Sequence, residues 1–407
     1  MKLTANITLD ELTKSQTAER KGINNNPSPE QIENLKARVE KRWGVVRINS
    51  RKFVTSPSQI IIHRPGSLEE LPKHLSGKVL IVTDPGIVKA GHVDRATALL
   101  EDVVVFDQVR ENPTESDVAE CAQFARAKNP DFIVGLGGGS SMDTAKGALF
   151  LLSGGGVMSD YQGHGKAKGP MLPFIAIPTT AGTGSECQSY AILCRDGSHE
   201  KMACGDPRAI AKVVILDPEL TASMPLQVAR LTALDALSHS LESAVCKNGT
   251  DKSRGLSFQA FRSIEPVIEA ILKGEGSLED RDRMLVGSAL AGSAIEASML
   301  GAAHAAANPL TAHFDVVHGH AVMSMLPGVM RWNAQVVGCV YDELKPGLID
   351  WVEYLYELAE LPPVVVPSEM IAQLATEAAK QWTGQFNPRP LTEADFEALY
   401  RSTFGES

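Results

Sequence analysis

The residue types able to do chemistry gather at a few places in this chain. Asp235-Ala236-Leu237-Ser238-His239 sets a carboxylate and an imidazole four residues apart. On a helix that spacing puts both on one face, where they can share an ion, although the same spacing also makes an ordinary surface hydrogen bond. His304 and His318 stand 14 residues apart in a stretch that also holds His313 and His320. In one straight helix 14 residues rise ~21 Å, too far for two ligands ~2.0–2.1 Å from one metal, so the chain must turn between them. Asn308-Pro309 supplies a break, because the residue before a proline is pushed out of the α region. Without a metal, the same four histidines are surface or core imidazoles, and spacing alone does not decide.

Two loops carry a second kind of chemistry. Gly137-Gly138-Gly139-Ser140-Ser141-Met142-Asp143-Thr144-Ala145-Lys146 follows an apolar run and opens a helix. Glycines there let backbone N–H groups approach a phosphate at a helix N-terminus. The usual G-x-G-x-x-G fails at Ser140, and the one suitable ribose acid, Asp84, ends an earlier strand instead of lying ~20 residues later. Ile177-Pro178-Thr179-Thr180-Ala181-Gly182-Thr183-Gly184-Ser185-Glu186 is a second polar element after a strand. Each alone is also a plain strand-to-helix connection or a self-satisfied hydroxyl turn. Two such loops at the C-terminal ends of parallel strands converge where open α/β sheets bind ligands, which points to a nucleotide.

The elements that must position these groups read as strand alternating with helix from about residue 44. Apolar runs at 78–84, 103–106, 131–135, 174–177 and 212–216 are separated by helical stretches near 86–100, 114–128 and 141–152. Continuous apolar strands between helices predict a parallel sheet covered on both faces. After Met224-Pro225 alanine, leucine and serine dominate to about 302, which predicts helices and a boundary near 223. The expected organisation is a helical arm at 1–43, an α/β domain at 44–223 and an all-α domain at 224–407. Ser28-Pro29-Glu30-Gln31 reads as a capping box opening the arm's helix, with Ile32, Leu35, Val39 and Trp43 as its apolar stripe.

The 407 residues, 43 % hydrophobic, suffice for more than one core, and no internal repeat or low-complexity run interrupts them. The net charge of -10 repels phosphate backbones and argues against nucleic acid. It is unevenly placed: residues 1–52 hold 11 lysines and arginines against 6 acids, so a basic arm precedes an acidic body. Packing on the body or on a sister subunit is the expected use of that arm. The six cysteines form no CxxC pair and read as reduced, mostly buried thiols. No apolar N-terminal segment or bilayer-length run is evident, which points to the cytoplasm and away from membranes.

Taken together, these segments resemble the iron-containing, group III alcohol dehydrogenase family, related to the dehydroquinate synthase-like fold. The match runs from about residue 55 to 403. It comprises in order the strand ending in Asp84, Asn112-Pro113-Thr114, the two loops, Lys201, the Asp235 to His239 helix, the paired histidines, Leu326-Pro327, Arg331-Trp332-Asn333 and Asn387-Pro388-Arg389. The resemblance implies an α/β dinucleotide-binding domain, a helical metal-binding domain and an active site in the cleft between them. It carries Asp235, His239, His304 and His318 over as catalytic metal ligands for Fe²⁺, with Zn²⁺ as the alternative. It sets NAD(H) on Gly138, Gly139, Ser140 and Asp143, with Thr179, Thr180, Thr183 and Lys201 around it. Asp84 is expected to accept from the adenosine ribose and to repel a 2′-phosphate, favouring NAD(H) over NADP(H). The implied reaction is metal-assisted hydride transfer between nicotinamide C4 and a small, polar alcohol or aldehyde, in a homo-oligomer, a dimer or larger.

The chain departs from the family pattern in its basic arm, in Arg64-Pro65 before Gly66, in a shortened stretch after Asn333, and at Asn308, where many members carry a histidine. An amide does not titrate near neutral pH, so His313 or solvent is expected to take over as proton relay. Tyr161, His164, Gln188 and Asn308 are the expected pocket residues, which suit a polar or acidic aldehyde. Two other readings are a lyase that uses NAD transiently and a non-catalytic metal- and nucleotide-binding protein. The lyase wants basic residues around the metal, and few lie between 235 and 330.

Overall fold

The structure is a computed structural model that describes residues 52–56, 59–197 and 200–405; the arm at 1–43 lies outside them. Among the described residues ten strands, interleaved with helices, lie before residue 217: β1 (Lys52–Ser56), β2 (Gln59–His63), β3 (Val79–Val82), β4 (Val103–Phe106), β5 (Phe132–Gly137), β6 (Gly163–His164), β7 (Phe174–Pro178), β8 (Tyr190–Cys194), β9 (Lys201–Gly205) and β10 (Val213–Leu216). Seven form one sheet in the order β1-β2-β10-β7-β5-β3-β4, and β6, β9 and β8 form a second, smaller one. The large sheet is parallel except where β1 meets β2.

The apolar runs are continuous because the sheet is buried on both faces. Side chains alternate along a strand, so Val79, Ile81, Val134, Ile175 and Ile215 fall on one side. Leu80, Val82, Ile133, Ala176 and Val214 fall on the other. The first face is covered by α2 (His92–Thr97) and partly by α1 (Pro85–Lys89). The second is covered by α3 (Glu115–Lys128) and α4 (Gly139–Gly154). The single helix expected near 86–100 is two, because Gly91 at φ 78 breaks it.

From Leu226 onward the described residues are helical: α5 (Leu226–Val245), α6 (Asp251–Ile264), α7 (Ile268–Lys273), α8 (Leu278–Ser298), α9 (Ala302–Phe314), α10 (His318–Leu344), α11 (Leu348–Leu358), α12 (Ile371–Lys380) and α13 (Glu393–Phe404). Side-chain capping boxes start several of them, at Thr250, Ser277 and Thr392. Asn308-Pro309 is not the break between the histidines: α9 runs straight through Pro309 to Phe314. The chain turns at Asp315, in the left-handed region at φ 53, and returns to place His318 as the first residue of α10. Ten helical residues climb ~15 Å from His304 to Phe314, and the turn at 315–317 reverses the chain so that the ring of His318 comes back to 5.3 Å from that of His304.

The two parts touch backbone to backbone at Gly184 and Gly292. A Cβ on Gly184, at φ +62, would lie 2.5 Å from the Cα of Gly292 on α8, and a Cβ on Gly292 would lie 2.4 Å from the Gly184 carbonyl oxygen. Both positions therefore require glycine. All six cysteines are unpaired. Burial pushes the thiols of Cys121 and Cys246 up to about 12 and about 11, so they stay protonated and inert. Among the described residues no single helix is long and apolar enough to cross a membrane.

Candidate active site

Between the sheet and the helices runs a cleft of about 1030 Å³. Every residue singled out for metal or nucleotide lines it: Asp84, Gly138, Gly139, Ser140, Asp143, Thr179, Thr180, Thr183, Lys201, Asp235, His239, His304 and His318.

The dinucleotide half is built by neighbouring strand ends. β3 and β5 pair directly, which brings Asp84, at the end of the earlier strand, against the glycine loop. A Cβ on Gly137, at φ +151, would meet Ser141 at 2.3 Å and Asp84 Oδ2 at 3.3 Å. Asp84 Oδ1 accepts from the N–H groups of Gly86 (2.9 Å) and Ile87 (3.1 Å), capping α1, while Ser141 Oγ lies 3.5 Å from Oδ2. Helix α4 starts at Gly139 with no side-chain cap, so its first-turn amides and dipole face the cleft, the arrangement that binds phosphate. Gly139 also lets the second loop approach, since a Cβ there would lie 2.9 Å from Thr183 Cγ2.

Behind the loops lies a residue the sequence did not single out for the site. Lys146 is fully buried, and its ammonium donates to Ser185 Oγ (2.7 Å), to the Ser185 carbonyl (2.8 Å) and to the Tyr190 carbonyl (2.5 Å). Ser185 Oγ in turn donates to Asp143 Oδ1 at 2.7 Å. Burial pulls the lysine's pKa down and pushes that of Asp143 up, and each opposes the other's shift. Glu186, next in the loop, is buried with Oε1 unpartnered, and burial pushes its carboxyl up to about 7. Its folded pKa is raised, so between about pH 4.5 and 7 the folded chain keeps a proton that the unfolded chain releases, and stability falls as pH rises. Glu186→Gln is expected to remove that contribution, up to about 1.4 kcal/mol per pH unit, in urea unfolding measured across this window.

The metal half stands on α5 and α9. Asp235, His239 and His304 offer ligand atoms that all lie within 4.8 Å of one another, and all three residues are buried. Asp235 Oδ1 is 3.6 Å from His239 Nε2 and 3.9 Å from His304 Nε2. Asp235 Oδ1 and His304 Nε2 have no hydrogen-bond partner. Buried polar atoms left facing one another are costly unless something binds between them, so this donor set fits a divalent ion. His318 stands beside the three, its ring centroid 5.3 Å from that of His304 and its Nδ1 also unpartnered. Burial, and Lys201 beside it, hold its pKa well below the usual value, so it presents the neutral imidazole a metal requires.

His304 owes its position to Glu242 on α5, which sequence reasoning passed over. The buried Glu242 accepts from His304 Nδ1 (2.5 Å) and from the backbone N–H groups of Ala303 (2.7 Å) and Gly301 (3.2 Å). Burial alone would raise its pKa, but the imidazole and the two amides together hold it below the usual range. With Nδ1–H given to Glu242, Nε2 keeps its lone pair toward Asp235. Asn387 completes the support, accepting from Ala302 N–H (3.2 Å) and from Asn333 (3.1 Å), which gives the Asn333 and Asn387 motifs a structural use.

Among the pocket expectations, Gln188 and Asn308 line the cleft. Tyr161 and His164 do not. Tyr161 is a core residue packed on Phe150 with its hydroxyl on the Gly155 carbonyl, and His164 is exposed on β6. His313 is no relay either: it pairs with Glu377 at 2.8 Å, away from the cleft lining.

Two family models cover this architecture, iron-containing alcohol dehydrogenase over residues 57–218 and the C-terminal domain of the Fe-containing alcohol dehydrogenase family over 229–404. The chain belongs to the iron-containing alcohol dehydrogenase family. Alcohol dehydrogenase 4 of Schizosaccharomyces pombe is 31 % identical over 361 residues, 83 % of this chain and 86 % of the relative. An iron-containing alcohol dehydrogenase of Thermotoga maritima superposes with TM-score 0.77 at 31 % identity, covering 85 % of this chain and 98 % of that one. Sulfoacetaldehyde reductase of Bifidobacterium kashiwanohense, solved with NAD+, superposes with TM-score 0.77 at 25 % identity, covering 89 % and 100 %. This alcohol dehydrogenase is thus an oxidoreductase, and the lyase and non-catalytic readings are set aside.

Proposed function

We propose that this dehydrogenase interconverts a small, polar alcohol and its aldehyde with NAD(H), using Fe²⁺ or Zn²⁺ held by Asp235, His239, His304 and His318. The observation that carries this reading is the meeting, in one cleft, of unpartnered carboxylate and imidazole atoms with an uncapped helix N-terminus. A bound ion would act as a Lewis acid on the substrate oxygen. The chain's own residues do the rest. Gly138, Gly139, Ser140 and Asp143 seat the dinucleotide phosphates, Thr179, Thr180, Thr183 and Lys201 surround the ribose and nicotinamide, and Asp84 receives the adenosine ribose. Solvent in the cleft takes the hydroxyl proton, because Asn308 does not titrate and His313 faces Glu377. A division into functional domains near residue 223, a homo-oligomeric assembly and a cytoplasmic setting complete the reading, the last supported by the unpaired cysteines.

The deciding experiment is metal analysis with NADH absorbance on short aldehydes, before and after chelation, together with NADH fluorescence titration. The expected result is one divalent ion per chain and turnover that vanishes on chelation and returns with Fe²⁺ or Zn²⁺, with NADH binding retained. Undiminished turnover after verified metal removal would sink the metal-dependent reading. Product without net NADH change would return the lyase.

A further inference from the structure

Two aromatic rings meet across one end of the cleft, one from each half of the molecule. Tyr190 opens β8 on the α/β side, and Trp382 opens the turn Trp382–Phe386 after α12 on the helical side. Both line the cleft, and their ring centroids lie 6.3 Å apart with planes at 36°. Rings at that separation are in contact, so no carbon chain passes between them.

Each ring is fixed in place. Tyr190 pairs with Gly205 across β8 and β9, and a Cβ on Gly205 would lie 2.4 Å from the tyrosine Cε1, so the ring covers bare backbone. The Tyr190 carbonyl accepts from Lys146, and the N–H of Ser189 before it donates to Glu296 Oε2 at 3.0 Å. Trp382 is held through its neighbours. Gln381 Oε1 accepts from Asn308 Nδ2 at 3.0 Å, a Cβ on Gly384 would lie 3.4 Å from Ala305 Cβ, and the Phe386 carbonyl accepts from Lys247 N–H at 2.7 Å. The Phe386 ring stands at 89° to the indole, 5.7 Å away. Residues 381–384 are thereby laid along α9, the helix that carries His304.

Asn308 follows His304 by one turn, a rise of ~6 Å. Gln381 is clasped there and Trp382 comes next, so the two rings stand about one helical turn from the metal end. At ~1.5 Å per C–C bond that is the reach of about four carbons. The amide at 308, spent on Gln381, is in this chain a clasp.

Resting on the dehydrogenase reading above, we infer that Tyr190 and Trp382 together form the end wall of the substrate pocket and set the longest alcohol the enzyme accepts. Asn308 is the positioning residue that holds Trp382 in that wall.

The test uses the metal-loaded enzyme with NAD⁺ and reads initial rates of NADH formation on straight-chain primary alcohols and terminal diols of two to eight carbons. The expected kcat/KM peaks at or below about four carbons and falls at least about tenfold by six. Trp382→Ala and Tyr190→Ala should each raise the six-to-three-carbon ratio about tenfold, whereas Trp382→Phe and Tyr190→Phe, which keep a ring, should leave it near the wild-type value. Asn308→Ala should raise the ratio several-fold in the wild-type background and not at all beside Trp382→Ala, a dependence that a general loosening of the fold would not show. A ratio of rates from one preparation does not depend on the fraction folded, so a destabilised variant still reports. Wild-type oxidation of six- or eight-carbon alcohols as fast as three-carbon ones overturns this inference alone, as does a ratio that neither ring-to-alanine variant moves. An Asn308→Ala effect that persists in full beside Trp382→Ala overturns the positioning role. No NADH from any member of either series overturns the dehydrogenase reading together with the wall.

Discussion

Glu242→Ala is expected to lower the unfolding free energy by about 3–5 kcal/mol and to weaken divalent-ion binding by about 10–100-fold. The buried carboxylate is the shared acceptor for His304 Nδ1 and for two amides at the start of α9, those of its N-cap Gly301 and of Ala303. Alanine leaves all three donors without a partner in a place water does not reach. It also frees the imidazole to rotate or to change tautomer, and the lone pair on Nε2 that faces Asp235 is no longer assured. Glu242→Gln should fall between, because it keeps the shape and one acceptor but presents N–H groups to donors. Urea unfolding of the chelated protein and ion titration of the folded variant read the two effects separately. Wild-type ion affinity in Glu242→Ala would show that α9 holds His304 without help.

Lys146→Met should destabilise to a similar extent, about 3–5 kcal/mol, and raise the dissociation constant for NADH about tenfold. Removing the ammonium leaves Asp143, Ser185 and the Tyr190 carbonyl facing a methyl group, with the carboxylate of Asp143 uncompensated. The cofactor effect follows because Ser185 belongs to the loop whose Thr183 touches Gly139. The double variant with Asp143→Asn is expected to be more stable than the sum of the two single losses, since it removes the buried charge along with its partner. Urea unfolding and fluorescence titration with NADH check both; strict additivity would mean that the two groups do not compensate each other.

Most of the site was legible because it is written locally. A strand, a glycine turn and a helix are consecutive in sequence, and Asp235 and His239 share a helical face by spacing alone. Glu242 could have been found the same way, since it continues that face one turn further. Lys146 could not, because a lysine at the eighth position of a helix reads as solvated until the loop carrying Ser185 is folded over it. Asn308-Pro309 misled for the opposite reason. A proline's local preference was overridden inside a well-packed helix, and the true turn came from the left-handed Asp315, which no pattern of residue types announced. Tyr161 carried a polar tip into a glycine-rich stretch and so resembled a pocket residue, whereas its ring completes the core under α4.

The contact between Gly184 and Gly292 also limits how the enzyme can move. Two backbones already in touch cannot slide closer, so at this point the loop that carries Thr183 and Ser185 sits at a fixed depth against α8. A side chain at either glycine would push that loop off the helix and, through the contact of Thr183 with Gly139, open the dinucleotide seat.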